Sequence, residues 1–186
     1  VILYYLLKDG NKVIPSITRV FPTRSRHKIS VMLHEMNQQV SSYIRGQILV
    51  AICVGVTYTI GYSIIALPYG VTIGMIAGVL TIIPYIGSII GLSIALVIAF
   101  VTSPSIALQV LLVFVIEQLI ESRLLQPLIL GSSLKMHPVT ILVILLAAGK
   151  MFGLTGLLIA VPVYAVIKVF VTHFFAWYKD YSINCS

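Results

Sequence analysis

The chain has 186 residues and a formal net charge of +7, with 59% hydrophobic and only 9% charged residues. Soluble domains contain about 25% charged and about 45–50% apolar residues, so a soluble chain of this composition could not cover its surface with polar groups. The composition therefore excludes an ordinary soluble domain. The basic balance indicates loops held on the cytoplasmic side of a membrane, and no motif in the sequence supports binding to nucleic acid.

One long stretch of the sequence lacks charged and histidine residues altogether. From Gly46 to Ile116, a run of 71 residues, there is no Asp, Glu, Lys, Arg or His. About 20 apolar residues cross a bilayer, so this stretch is long enough for three or four crossings. The sequence thus predicts an all-α fold, a polytopic helical bundle in a membrane.

The first 45 residues are predicted to comprise the end of a preceding membrane helix and a cytoplasmic amphipathic helix. Residues 1–7 resemble the end of a preceding membrane helix, which predicts that the chain starts partway through a longer protein. Residues 23–45 place apolar side chains three and four positions apart, as in an amphipathic cytoplasmic helix. Such a helix could lie on the membrane surface, pack on the protein's own cytoplasmic face or contact another copy of the chain.

Six membrane segments are predicted within residues 46–178, followed by a cytoplasmic tail at 179–186. Proline, glycine and polar breaks separate them into segments 46–65, 71–83, 87–102, 105–124, 139–152 and 157–176. Six crossings return both ends to one side. Basic residues concentrate on that side, so we expect it to be the cytoplasm.

Two of these segments are short. At about 1.5 Å per residue, neither 71–83 nor 139–152 reaches across a hydrocarbon core of about 30 Å. Breaks in the membrane helices are predicted at Pro84, Gly87, Pro127 and Pro138. Broken or re-entrant helices occur where protein or a water-filled cavity receives the backbone groups, and paired short segments are typical of transporter binding regions. Ordinary helical hairpins are the alternative.

Glu117 and Glu121 lie four residues apart in the fourth segment, on one face of a helix. A charge in the hydrocarbon costs at least about 2.5–3.5 kcal/mol, so carboxyls are rarely kept there without a partner or a pathway. Two neighbouring carboxyls can share a proton because like charges disfavour double ionisation, which suits exchange of protons or cations. The alternative places both side chains at the cytoplasmic interface, in contact with water.

Three further ionisable residues are candidates for ion coupling or substrate binding. Arg123 is rotated by about 200° from Glu121 on an ideal helix, so it is not a same-face partner of the glutamates and could pair with another helix. Lys150 interrupts an apolar run on the side away from the cytoplasm, where it could meet an anionic substrate or a carboxylate. His137 stands at the start of a helix and can titrate near physiological pH, with a structural role at the interface as the alternative.

No enzymatic chemistry is indicated. The sequence lacks a Gly-x-Ser-x-Gly elbow, a His-Glu-x-x-His zinc motif and a phosphate-binding loop. The two cysteines, Cys53 and Cys185, form no metal-binding pattern. We therefore expect no catalytic residues, no metal site and no cofactor.

Several strings along the whole chain resemble the autoinducer-2 exporter family of bacterial membrane proteins. They include Tyr43-Ile44-Arg45-Gly46-Gln47, Ile83-Pro84-Tyr85-Ile86-Gly87, Glu117-Gln118 with Glu121-Ser122-Arg123, His137-Pro138 and Phe152-Gly153-Leu154-Thr155-Gly156. The resemblance implies that further membrane helices precede this segment. It also implies export of a small signalling molecule for some members and sodium/proton exchange for others. Ser88 departs from the family, which often has proline there, so the bend is less rigid.

The sequence thus predicts a transporter in the bacterial cell membrane that exports a small solute or signalling molecule, with sodium/proton-coupled exchange as its mechanism. A channel-like pore and a membrane scaffold without transport activity are the alternatives. The expected partners are the lipid bilayer, a small solute, and a monovalent cation or proton. Glycines four residues apart, as at Gly70, Gly74 and Gly78, predict close helix packing within one protomer, and a homo-oligomer is a further expectation.

Overall fold

The computed structural model describes residues 23–130 and 138–184, and over these ranges the chain forms helices and turns with no strand. The predicted all-α fold is confirmed. The predictions for residues 1–7 and for His137 lie outside the described residues.

Six helical elements make up the described chain. They are α1 (Thr23–Ile64), α2 (Gly70–Leu80), α3 (Ile86–Thr102), α4 (Pro104–Ile120), the π-helical segment π1 (Glu121–Leu130) and α5 (Pro138–Asn184). Helix α1 joins the predicted amphipathic helix and the first crossing without interruption. Helical structure continues from α4 through π1 to Leu130, beyond the end of the predicted segment 105–124. Helix α5 runs to Asn184, so the tail predicted at 179–186 begins inside a helix.

Apolar helices with exposed apolar faces dominate the described chain. By length and composition, the stretches Lys28–Ile64, Pro104–Ile129 and Val139–His173 are each long and apolar enough to cross a membrane, and the last of them is interrupted by a bend at Gly153. Large apolar side chains point outward, among them Val101 at 86% exposure and Ile64 at 78%. Soluble proteins rarely expose broad apolar surface, whereas lipid solvates it. These features indicate a multi-pass membrane protein.

The ends of α4 show how local sequence sets the helix boundaries. Ser103 has an extended backbone, and its hydroxyl accepts a hydrogen bond from the Ser105 amide at 3.2 Å. Pro104 follows as the first helical residue, where its missing amide hydrogen is not needed. The predicted break at 103–105 is therefore a capped helix start, and it turns α4 back against α3.

Helices α2 and α3 form a hairpin, and α2 is too short to cross a membrane by itself. The eleven residues of α2 rise only about 16 Å. The turn between the helices contains Pro84 and Tyr85, and Gly87 lies in the first turn of α3. A Cβ on Gly87 would collide with the backbone of Leu80 and Thr81, so the absence of a side chain is what lets α3 close onto the end of α2.

The hairpin is held against α1 by direct backbone contact. A Cβ on Gly78 would lie 2.5 Å from the Gly55 Cα, and one on Gly74 would lie 2.6 Å from the Thr59 nitrogen. Such close approach is typical of small residues in membrane helix packing. At the hairpin tip, the Gln47 side-chain amide donates a buried hydrogen bond of 2.7 Å to the Thr81 carbonyl.

Contacts divide the chain into two compact units, one of Arg45–Val143 and one of Val1–Ile44 with Ile144–Ser186. The first unit holds the α2–α3 hairpin, α4 and a buried apolar core that includes Val54, Val110 and several alanines. The second unit contains a side-chain contact in which His173 Nε2 lies 2.7 Å from Glu35 Oε2.

Helix α5 bends sharply at Gly153, which has φ 60° and ψ −141°. A Cβ on Gly149 would lie 2.9 Å from the Leu157 Cδ2, and one on Gly156 would collide with the Ala148 carbonyl. Residues eight apart in a straight helix are separated by about 12 Å. The chain therefore doubles back at Gly153, where the sequence predicts a break.

Gly153→Ala is expected to lower the thermal stability of the protein, although a Cβ there would meet no heavy atom within 4 Å. The cost is conformational, since only glycine readily adopts this backbone geometry, and it should amount to about 1–3 kcal/mol. Thermal unfolding of the detergent-purified protein measures it. Leu154→Ala, at a neighbouring side chain that is 66% exposed, is the control. Equal stability of Gly153→Ala and the wild type would contradict this account of the bend.

Candidate functional site

Two buried carboxyl groups lie at the junction of α4 and π1. Glu117 is 0% exposed and Glu121 is 5% exposed, although both belong to a stretch apolar enough to cross a membrane. One helical turn separates them, which places both on the same face. The structure therefore keeps both glutamates inside the first unit and away from its surface.

Two tyrosines from α1 face these glutamates. Tyr58 and Tyr62 are also one turn apart and 0% exposed, and their rings stack with centroids 5.3 Å apart. Tyr58 interacts electrostatically with Glu117 and Glu121, and Tyr62 interacts with Glu117. We call Tyr58, Tyr62, Glu117 and Glu121 the buried polar cluster.

The π-helical turns of π1 add Gln126 to this site. Its side-chain amide donates a hydrogen bond of 3.3 Å to Glu121 Oε1. On an α-helix, residues five apart point about 140° away from each other. A π-helix bonds residue i to residue i+5, so its wider turns place Gln126 over Glu121, and such turns occur frequently at functional sites.

The cluster contains an unusual number of buried oxygen atoms that form no hydrogen bond in the described part of the chain. Within the described residues, five buried side-chain oxygens lack a hydrogen-bond partner: Tyr58 Oη, Tyr62 Oη, Glu117 Oε1 and Oε2, and Glu121 Oε2. Proteins pair nearly all their buried polar atoms, and each one left unpaired costs about 1–3 kcal/mol. All five atoms belong to the one cluster, which therefore offers oxygen ligands to a bound species.

The tip of the α2–α3 hairpin lies beside this cluster. Tyr85 is half-buried and interacts electrostatically with Glu121. Its φ of 63° is rarely adopted by a bulky residue, and strained backbone of this kind concentrates at functional sites. The predicted break at Pro84 and Gly87 thus brings a turn of the chain to the acidic site.

Four other residues predicted for the site or its helix breaks are not part of the buried polar cluster: Arg123, Lys150, Pro127 and Pro138. Arg123 is exposed on π1, and Lys150 is exposed and belongs to the second unit. Pro127 is exposed within π1, and Pro138 is the first residue of α5.

Sequence reasoning missed Tyr58, Tyr62 and Gln126. The four-residue spacing of the tyrosines matches that of the glutamates, and this was the available signal. The position of Gln126 depends on π-helical geometry, which the residue pattern does not indicate.

Apolar helices that enclose a buried acidic cluster define a polytopic membrane protein with polar groups held inside its bundle. The combination is characteristic of membrane transport proteins, in which intramembrane ionisable groups line ion or substrate paths. The chain belongs to the AI-2E transporter family, whose sequence model matches residues 1–176. The resemblance found in the sequence is confirmed.

Relatives in two bacteria are provisionally named as transport proteins or permeases. YrrI of Bacillus subtilis (strain 168) is 39% identical over 173 residues, which cover 93% of this chain and 49% of YrrI. YueF of the same organism is 37% identical over 169 residues, with 91% and 46% covered. The permease PerM of Escherichia coli (strain K12) is 31% identical over 176 residues, with 89% and 47% covered. The chain spans about half the length of these relatives. No solved structure matches it.

Proposed function

We propose that the protein exports a small solute or signalling molecule across the bacterial cell membrane, driven by inward movement of protons or sodium ions. The observation that carries this proposal is the complete burial of Glu117, with Glu121 beside it, in a stretch apolar enough to span the membrane. Membership in a transporter family supports it. The predicted topology, with both ends of this segment in the cytoplasm, and assembly into a homo-oligomer belong to the same proposal.

The energetics of a buried carboxylate explain how coupling would arise. An unpaired carboxylate is very costly to enclose in an apolar interior, whereas a protonated or cation-bound one is far less so. The cluster can therefore close away from water when an ion is bound and resists closing when it is empty. This difference links movement of the ion to the conformational change that carries the solute.

The α2–α3 hairpin is the element best placed to open and close the cluster. It is short, it is broken at Pro84, and Tyr85 at its tip interacts with Glu121. Transporters with interrupted helices place ion and substrate sites at such breaks, and alternating access proceeds by movement around them. We infer that the tip covers the cluster in the state described here.

Efflux from proteoliposomes tests the proposal. With the intact protein and autoinducer-2 as the probe solute, we expect an inward proton or sodium gradient to accelerate efflux. Changing both Glu117→Gln and Glu121→Gln should remove that acceleration and the pH dependence of efflux. Glu35→Gln is the matched control, since this carboxyl is 45% exposed and belongs to the second unit.

Different results would identify the alternatives. Unchanged gradient-driven efflux in the double variant would contradict a coupling role for the two glutamates. Efflux that does not saturate and ignores the gradients would indicate a channel-like pore. A complete lack of efflux with a panel of small solutes would favour a scaffold.

A further inference from the structure

We propose that Glu117, Tyr58 and Tyr62 form a buried binding site for a dehydrated sodium ion, with the two tyrosine hydroxyls as ligands beside the carboxylate. The inference rests on the proposed ion-coupled function. It goes further by choosing the ion and by assigning a direct role to two tyrosines.

The first argument is that the protein gives these oxygens few partners. Both carboxyl oxygens of Glu117 and both tyrosine hydroxyls are buried without a well-formed hydrogen bond among the described residues, and the one protein group that acts as a hydrogen-bond partner of Glu117 is the Tyr58 hydroxyl itself. All three side chains are 0% exposed. Buried oxygens with so few protein partners are suited to binding an ion.

The second argument is the charge of the surroundings. The groups of the described chain that act on Glu117 are Tyr58 and Tyr62 from α1 and Glu121 from its own helix. Tyr85, from the hairpin tip, acts on Glu121. These groups are neutral or acidic, so none of them compensates the charge of an ionised Glu117. A bound cation would do so, and in a dry interior that compensation is strong.

The third argument is the chemistry of the donors. The site offers carboxylate and hydroxyl oxygens without sulfur or imidazole, and hard cations prefer oxygen ligands whereas transition metals favour the softer ones. Among the described residues no group of three His, Cys, Asp or Glu side chains could hold a metal ion. Because Glu121 is bonded by the Gln126 amide, Glu117 is the carboxylate with both oxygens free of well-formed hydrogen bonds within the described ranges, and one monovalent cation balances its single charge.

The arrangement also gives the two glutamates separate roles. Glu121 already accepts a hydrogen bond from Gln126, whereas Glu117 has both oxygens available. Sodium on Glu117 therefore leaves Glu121 with its amide partner. A tyrosine hydroxyl can offer its lone pairs to the ion while its own proton points toward a carboxylate oxygen.

Equilibrium binding of radioactive sodium to the intact, detergent-purified protein tests this site without any transport. We expect saturable binding that strengthens as the pH is raised, because protons and sodium compete for Glu117. Glu117→Gln should abolish binding. Tyr58→Phe, which removes only the hydroxyl, should weaken it about tenfold. Tyr43→Phe is the control, because Tyr43 is buried in the same helix but lies outside the cluster.

Each outcome decides the question. Absence of sodium binding to the wild type, or equal affinity of Tyr58→Phe and the wild type, would overturn the inference. Should Tyr58→Phe fail to fold, Tyr62→Phe provides the same comparison, with the same expectation of about tenfold weaker binding. Gradient-driven efflux without sodium binding would refute the sodium site and leave the proposed function standing. Sodium binding without efflux would support the site and refute the proposed function.

Discussion

Glu117→Leu is expected to make the protein more stable while abolishing its ion-coupled transport. The side chain is fully buried, and neither of its oxygens has a hydrogen-bond partner in the described chain. Replacing buried charged groups by apolar side chains of similar size is often stabilising by about 1–4 kcal/mol. Leucine also retains the high helix propensity of glutamate. Thermal unfolding in detergent without sodium measures the gain, and proteoliposome efflux measures the loss of function.

The control for this experiment is Glu35→Leu. Glu35 is 45% exposed, and its Oε2 lies 2.7 Å from His173 Nε2. Loss of such a partly exposed pair should cost about 0–1 kcal/mol, so stability should stay level or fall slightly. A marked loss of stability in Glu117→Leu would show that the carboxyl has a structural role, and would contradict its assignment to ion binding.

Gly78→Leu is expected to prevent the α2–α3 hairpin from docking on α1, with loss of the folded protein. Even an alanine Cβ at this position would lie 2.5 Å from the Gly55 Cα and 2.8 Å from the Ala51 carbonyl oxygen. Both obstacles are backbone atoms, which cannot rotate away. Gly78→Ala should therefore be folded but destabilised, by about 1–3 kcal/mol as for other overpacked sites. Size-exclusion profiles and thermal unfolding in detergent distinguish the two variants.

Gly149→Ala is the matched comparison for this prediction. Its Cβ would meet the Leu157 Cδ2 at 2.9 Å, and the end of a leucine side chain can move. We expect it to cost less than Gly78→Ala, even though both change glycine to alanine within a helix. A greater cost for Gly149→Ala would show that backbone contact between α1 and α2 does not limit packing.

The sequence was informative wherever one residue type determines local geometry. The turn after α1, the capped start of α4 at Ser103-Pro104 and the bend at Gly153 all coincide with breaks predicted from proline, glycine and serine. The continuity of α1 across the boundary between the predicted helix 23–45 and the predicted segment 46–65 could also have been predicted from the sequence. A single glycine in a helical pattern is tolerated, so Gly46 gave no reason for α1 to stop.

The buried cluster could be predicted only in part. The spacing of Glu117 and Glu121 placed them on one helix face, and the cost of charge in lipid singled them out. Nothing local distinguishes Tyr58 and Tyr62 from tyrosines that face lipid, because their role depends on which side of α1 meets α4. The position of Gln126 over Glu121 depends on π1, a geometry that residue periodicity does not encode.

The alanines in the core of the first unit bear on how its helices can move. Ala77 on α2, Ala95 and Ala99 on α3, and Ala107 on α4 are all at most 2% exposed. Alanine has no side-chain rotamers to lose or reset. Where these helices meet through methyl groups, no long side chains interlock between them. At these positions a small shift of one helix along its neighbour requires no change of rotamer in the alanines themselves.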